Sequence, residues 1–206
     1  VLARDPVGYR RLSAAVSHHN LSAGHRADPA HRLPELATAL RGTGGAASAA
    51  CSCLVLTGTA NGPLRRALGD PRRPTTWDRR AADAVLGGLV DLIGPDSLAV
   101  ELALDGGPTD AAVTDVLSAL AAAHRLPLLA TGAIRCARPG DSRLADVLTA
   151  TRLRTDLEGA RGHLPALGRW LRGPADMAPL HRRAPHAVYA AAEVAQDLVF
   201  DLSLVV

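Results

Sequence analysis

"SLAVELALDGGPTDAAVTDVLSALAAAHRLPLLAT", residues 97–131, decides the fold. Its first eight residues are an almost unbroken apolar run ended by Asp105-Gly106-Gly107-Pro108, the pattern of a strand buried on both faces. Pro108 to His124 reads as a helix, and "LPLLAT" after it is again a continuous apolar strand. Strand, helix and strand in that order imply a parallel pair joined by a right-handed crossover.

Upstream the alternation repeats. "CLVLTG" (53–58) reads as a strand and "GPLRRALGD" (62–70) as a helix with Pro63 near its start. A long helical stretch from about Trp77 to Ile93 leads through Gly94-Pro95 into the strand above. At the front, "VLARDPVGYRRLSAAVS" reads as a strand end and then a helix, with Asp5 as N-cap and Pro6 at the first helical position. "PELATALR" is a short helix, and residues 42–52 are a small-residue loop. The expected fold class is therefore α/β, a mainly parallel sheet or barrel. About four strands are visible, fewer than a closed barrel needs, so the missing ones are expected before Val1 in a longer protein. From Asp141 onward the chain reads as helical without obvious strands, with Asp141 capping one helix and Pro174 opening another. The expected division is an α/β part over 1–140 and a helical part over 141–206.

Composition narrows the function. Hydrophobic residues make up 48% of the 206, enough for an ordinary core, but aromatics are only 2%. Stacking of bases on exposed rings is thereby excluded as a main binding mode. All 23 basic residues are Arg, and the net charge is only +3, which permits contact with nucleic acid without arguing for it. The pairs Arg65-Arg66, Arg72-Arg73, Arg79-Arg80 and Arg182-Arg183 read as solvated helix faces or as one phosphate-facing surface. No apolar run is long enough to span a membrane, and three unevenly spaced cysteines fit a reducing cytoplasm.

Candidate chemistry is sparse. His18, His19, His25 and His31 crowd a Gly/Pro-broken segment without a metal-binding register, and read as a solvated loop. Cys51, Cys53 and Cys136 make a poor zinc site for want of a fourth ligand. "LTGTANG" (56–62) is a strand-to-helix turn with two glycines but neither a Walker nor a dinucleotide spacing. Glu101 is the sharpest candidate, a carboxylate inside an apolar strand that needs an Arg, backbone amides or a metal to offset its burial.

Taken in order, "VLARDPVGYRRLSAAVS", "LVLTGTANGPLRRAL", "LAVELALDGGPTD", "LPLLATGAIRCARP" and "RGPADMAPLHRRAPHAVYAAAEVAQDLVFDLSLV" resemble the PHP (polymerase and histidinol phosphatase) region of bacterial C-family DNA polymerases. The likeness covers nearly the whole chain and is greater to the error-prone, actinobacterial branch. It implies the later part of a distorted (βα) PHP barrel, followed by helices leading toward the polymerase palm. Where an intact PHP site carries the Asp and His of an "ATNDVH"-like segment, this sequence has Ala133 and Arg135, and the position after "LTG", often Cys, is Thr59. Ala offers no ligand atom and a guanidinium repels a cation. The resemblance thus implies a retired metal site with Glu101 as a possible remnant, no catalytic residue and no cofactor on this chain, and Mg²⁺ for the parent polymerase. It implies DNA as the parent's partner, with the sliding clamp and accessory proteins of a mutagenesis complex as further candidates. Two other readings, a PHP-type metal-dependent phosphoesterase or nuclease and a stand-alone binding module, are the alternatives.

Overall fold

A computed structural model describes residues 1–22, 32–41 and 52–205. Among these residues four strands form one sheet in sequential order: β1 (Leu2–Ala3), β2 (Cys53–Leu56), β3 (Leu98–Ala103) and β4 (Leu128–Thr131). β2, β3 and β4 are parallel, as the apolar runs require. β1 departs from the parallel expectation: Leu2 and Ala3 lie antiparallel to Leu54 and Cys53, and Arg4 N–H extends the ladder to Ser52 O at 2.8 Å. It is two residues long because the chain turns at Asp5 directly into a helix.

That helix, α1 (Pro6–Ser22), has Pro6 at its first position, and Gly8 N–H donates to Asp5 Oδ1 at 2.7 Å. It packs on α2 (Leu33–Arg41). The β2–β3 connection carries α3 (Pro63–Leu68) and α4 (Arg79–Ile93), the latter capped by Asp78, whose Oδ1 accepts from Ala81 N–H at 2.9 Å. α5 (Asp110–Ala123) is the crossover between β3 and β4. Side chains alternate across the sheet. Cys53, Val55, Leu98, Val100, Leu102, Leu128 and Ala130 face the larger core with α3, α4 and α5, whereas Leu54, Ala99 and Leu129 face a smaller one.

The final third contains α6 (Ser142–Arg152), α7 (Leu157–Ala160), α8 (Pro174–Leu180) and α9 (Pro185–Asp197). Pro174 opens α8 as expected. Asp141 does not cap α6 through its side chain; it ends a 3-10 turn in helical conformation and makes no cap bond. α9 lies along β4, giving Ala187 and Val188 to the larger core and Ala190 and Val194 to the smaller. A parallel bridge between Cys136 and Trp170 adds extended structure where the sequence reading placed only helix and loop. Among the described residues no helix is long and apolar enough to cross a membrane.

Candidate functional site

The carboxyl ends of parallel strands are where an α/β fold collects its working groups. Here that rim holds Thr57 to Thr59 after β2, Leu104 and Asp105 after β3, and Gly132 to Arg135 after β4. Thr57 is buried, its N–H donates to Ala99 O at 3.0 Å, and its Oγ1 accepts from Glu101 N–H at 3.0 Å. Thr131 Oγ1 donates to Glu101 Oε1 at 2.6 Å. The partner of the half-buried Glu101 is therefore a hydroxyl of the next strand, not the arginine or helix amides expected from sequence. A short bond from a neutral donor offsets part of the desolvation of the carboxylate and fixes its orientation.

Arg135 is exposed, and no ion pair joins it to Glu101 among the described residues. Its backbone N–H donates to Arg169 O at 2.7 Å. Cys136 N–H reaches the same oxygen, Leu171 N–H donates to Cys136 O, and Leu167 N–H donates to Asp105 O at 2.8 Å. Residues 167–171 are thus laced across the ends of β3 and β4. An ionic group closes the seam: Arg169 Nη2 lies 3.6 Å from Asp105 Oδ2, and the partly buried Arg65 guanidinium sits in the field of Asp105 and Asp110. Burial lowers the Arg65 pKa and raises that of Asp110, whose Oδ2 accepts from Gly106 N–H. Arg65 turns inward, while Arg66, Arg79 and Arg80 are exposed helix-face residues.

Thr59, the position after "LTG", is half-buried, and its carbonyl accepts from Gly62 N–H at 2.8 Å. Ala133 holds a left-handed backbone at φ 45°. That region costs alanine about 1–2 kcal/mol, whereas Asn, Asp and Gly visit it readily. Ala133→Gly is expected to raise the melting temperature by a few degrees; a lower one would mean that the β4 exit loop does not enforce this conformation.

Ala133 has no donor atom, Arg135 carries its own positive charge, and Glu101 Oε1 is engaged by Thr131. Among the described residues no three His, Cys, Asp or Glu side chains converge on a common point. Cys53 and Cys136 are not brought together: Cys53 is fully buried with its Sγ near Gly8 O, and Cys136 Sγ contacts Arg138 and Arg169 carbonyls. His18 and His19 end α1, whereas His25, His31 and Cys51 lie outside the described residues.

His181 escaped the sequence reading because "PLHRRAP" looks like a solvated turn. It is 1% exposed. Burial, reinforced by the Arg172 charge, holds its pKa below the ordinary value, so the folded state favours the neutral ring. Stability is accordingly expected to fall as pH drops below about 6.5, where the unfolded chain binds a proton that the native ring resists. Asp110 acts oppositely in a more acidic window, its raised pKa favouring the folded state once it protonates. Thermal melts between about pH 7 and 5 should show the His181 decline, and His181→Leu should flatten it.

No family model matches the chain. Its likeness is to proteins named error-prone DNA polymerase. The one in Mycolicibacterium paratuberculosis is 36% identical over 206 residues, which is all of this chain and 18% of that protein. Those of Nocardia farcinica and Mycobacterium tuberculosis are 36% and 35% identical over the whole chain, covering 17% of their own length. The chain is homologous end to end to these relatives and spans less than a fifth of them.

Proposed function

We propose that this chain is a non-catalytic, PHP-like region of an error-prone DNA polymerase that acts in DNA repair and damage-induced, translesion synthesis. The observation that carries the reading is the end-to-end likeness to one segment of error-prone polymerases, with no gap in coverage of this chain. Three features of the rim support it. The resemblance puts Ala133 and Arg135 where an intact PHP site has Asp and His, the Glu101 carboxylate is tied to Thr131, and residues 167–171 lie across the strand ends. Ala133 retains a backbone conformation that suits Asp better than Ala, as a degenerated ligand position would.

In this reading residues 1–140 are an arc of a PHP-type (βα) barrel, to which the sequential parallel order of β2, β3 and β4 is suited. Residues 141–206 are the helical passage toward the palm. The Mg²⁺-dependent addition of nucleotides belongs to parts of the polymerase outside these residues, and no step of it is assigned here. DNA is the partner of the parent, clamp and mutagenesis-complex proteins are its further partners, and the compartment is the cytoplasm.

The deciding experiment is an immunoblot of native cells with antibody raised against these residues, followed by primer extension on damaged templates. A band several times larger than 21.3 kDa that co-purifies with template-dependent extension is expected. A product near 21 kDa would overturn the reading.

A further inference from the structure

The positive charge of this chain is gathered in one place. Residues 63–80, "PLRRALGDPRRPTTWDRR", hold six of the 23 basic residues and two of the 20 acidic ones, a surplus of four. All other residues together hold 17 and 18, a deficit of one, so the net charge of +3 belongs to the corner where α3 turns into α4.

Hydrogen bonds close that corner turn by turn. Gly69 N–H donates to Arg66 O, Arg73 N–H to Asp70 O and Thr76 N–H to Arg73 O, and Asp78 N–H returns to Leu68 O at 3.0 Å. The Trp77 indole N–H donates to Asp70 O at 2.7 Å. Arg72 Nη2 donates to Gly162 O at 2.5 Å, tying the corner to the turn at residues 161–163. The backbone positions of the arginines are thus held near one another, and their mutual repulsion is built in.

The acids of the corner leave most of this charge uncompensated. Asp78 Oδ1 accepts from Ala81 N–H, and Asp70 Oδ1 accepts from Arg72 N–H. Asp70 Oδ2 reaches one guanidinium, Arg73 Nε, at 3.8 Å. Arg65 turns inward toward Asp110 and Asp105. Arg66, Arg72, Arg79 and Arg80 are exposed and, among the described residues, form an ion pair with no carboxylate. Arg79 and Arg80 stand besides in the first turn of α4, at the positive end of its dipole.

Such a surface is suited to a polyanion, and what it lacks says which. Among the described residues none of the exposed large hydrophobic side chains lies within 63–80, and Trp77 is half-buried. A lipid surface takes up apolar side chains together with basic ones, and a protein partner needs an apolar or aromatic anchor. A nucleic-acid backbone needs neither, because phosphate contacts alone supply sequence-independent binding.

We propose that the α3–α4 corner is a docking surface for the phosphate backbone of a nucleic acid, contacted by Arg66, Arg72, Arg79 and Arg80. Their planar guanidinium forks match phosphate oxygens. Charge and geometry carry this inference without the polymerase reading, so failure of either leaves the other standing.

A fluorescent DNA duplex of about 20 base pairs is titrated with the chain, by anisotropy, between about 25 and 200 mM salt. Four phosphate contacts should make log K fall with log salt at a slope of about −3.5. Arg79→Gln with Arg80→Gln should halve that slope and weaken binding at least about tenfold at the lowest salt, and Arg66→Gln alone should lower the slope by about one. Replacing Arg79 and Arg80 by Lys should keep the slope, since charge is what is read. Arg10→Gln with Arg182→Gln takes the same charge from exposed positions on α1 and in the turn after α8, and should leave the slope within about 0.5 of its original value. All these variants should melt with the unsubstituted chain, since the altered side chains are exposed. Several results would overturn the proposal: no anisotropy change up to about 100 μM chain, or a slope that neither corner variant alters. So would an equal loss in the Arg10 and Arg182 control, or polyglutamate or anionic vesicles competing as strongly as duplex at equal charge.

Discussion

Gly62→Ala is expected to cost about 3 kcal/mol, one of the largest losses available from a single methyl group in this chain. The turn after β2 folds back so tightly that a Cβ at position 62 would overlap Thr57 O and stand 2.7 Å from Gly58 Cα. Both obstacles are backbone, so no side chain can swing away. Gly58 meets the same crowding from the other side and holds φ 85° besides. These glycines are needed for the approach of one backbone segment to another, which is why "LTGTANG" carries a glycine-rich look without a phosphate loop's spacing. Displacing this turn would also move Thr57, and with it the hydroxyl that receives Glu101 N–H. Gly88→Ala provides the contrast. Among the described residues nothing lies within 4 Å of the point where its methyl group would stand on the exposed side of α4, and the change should stabilise by about 0.5–1 kcal/mol through helix propensity. Denaturant melts of the two variants should move in opposite directions; a neutral Gly62→Ala would mean that the turn is looser than described.

Leu102→Ala should be at least as damaging. Leu102 is fully buried on β3, the strand with a parallel neighbour on each side, and it faces the larger core. Removing its side chain forfeits transfer free energy and leaves a void that a strand held from both sides cannot collapse, for about 2–5 kcal/mol. In a chain of this length that corresponds to a fall in melting temperature of roughly 10 °C. Leu144→Ala, at a 62% exposed position of α6, should change stability by no more than about 0.5 kcal/mol. If the two substitutions had similar effects, the sheet would not be the centre of the fold.

What could be read from sequence was whatever local chemistry determines. Continuous apolar runs marked β2, β3 and β4, and Asp5-Pro6 and Gly62-Pro63 marked helix starts, because caps and proline geometry act within a few residues. Features set by distant segments were not legible. Glu101 was recognisable as a carboxylate needing a partner, but that partner is Thr131, thirty residues away on the neighbouring strand. The two-residue β1 carries too little pattern to announce its antiparallel pairing. The Cys136–Trp170 bridge and the burial of His181 likewise depend on how residues 161–184 return to the sheet, which no local periodicity encodes. The candidate site positions Thr59, Ala133 and Arg135 stand out only through comparison with an intact PHP motif; as bare residues they are ordinary.

The bond between Thr131 and Glu101 has a consequence for assembly of the sheet. An apolar strand such as β4 tolerates sliding, since leucine beside alanine packs acceptably in several offsets. A slip by one residue would nevertheless turn Thr131 to the opposite face and strand the Glu101 carboxylate among hydrocarbon. The pair therefore works as an alignment key, penalising mispaired β3–β4 ladders during folding, a duty that asks nothing of the carboxylate beyond its place in the ladder.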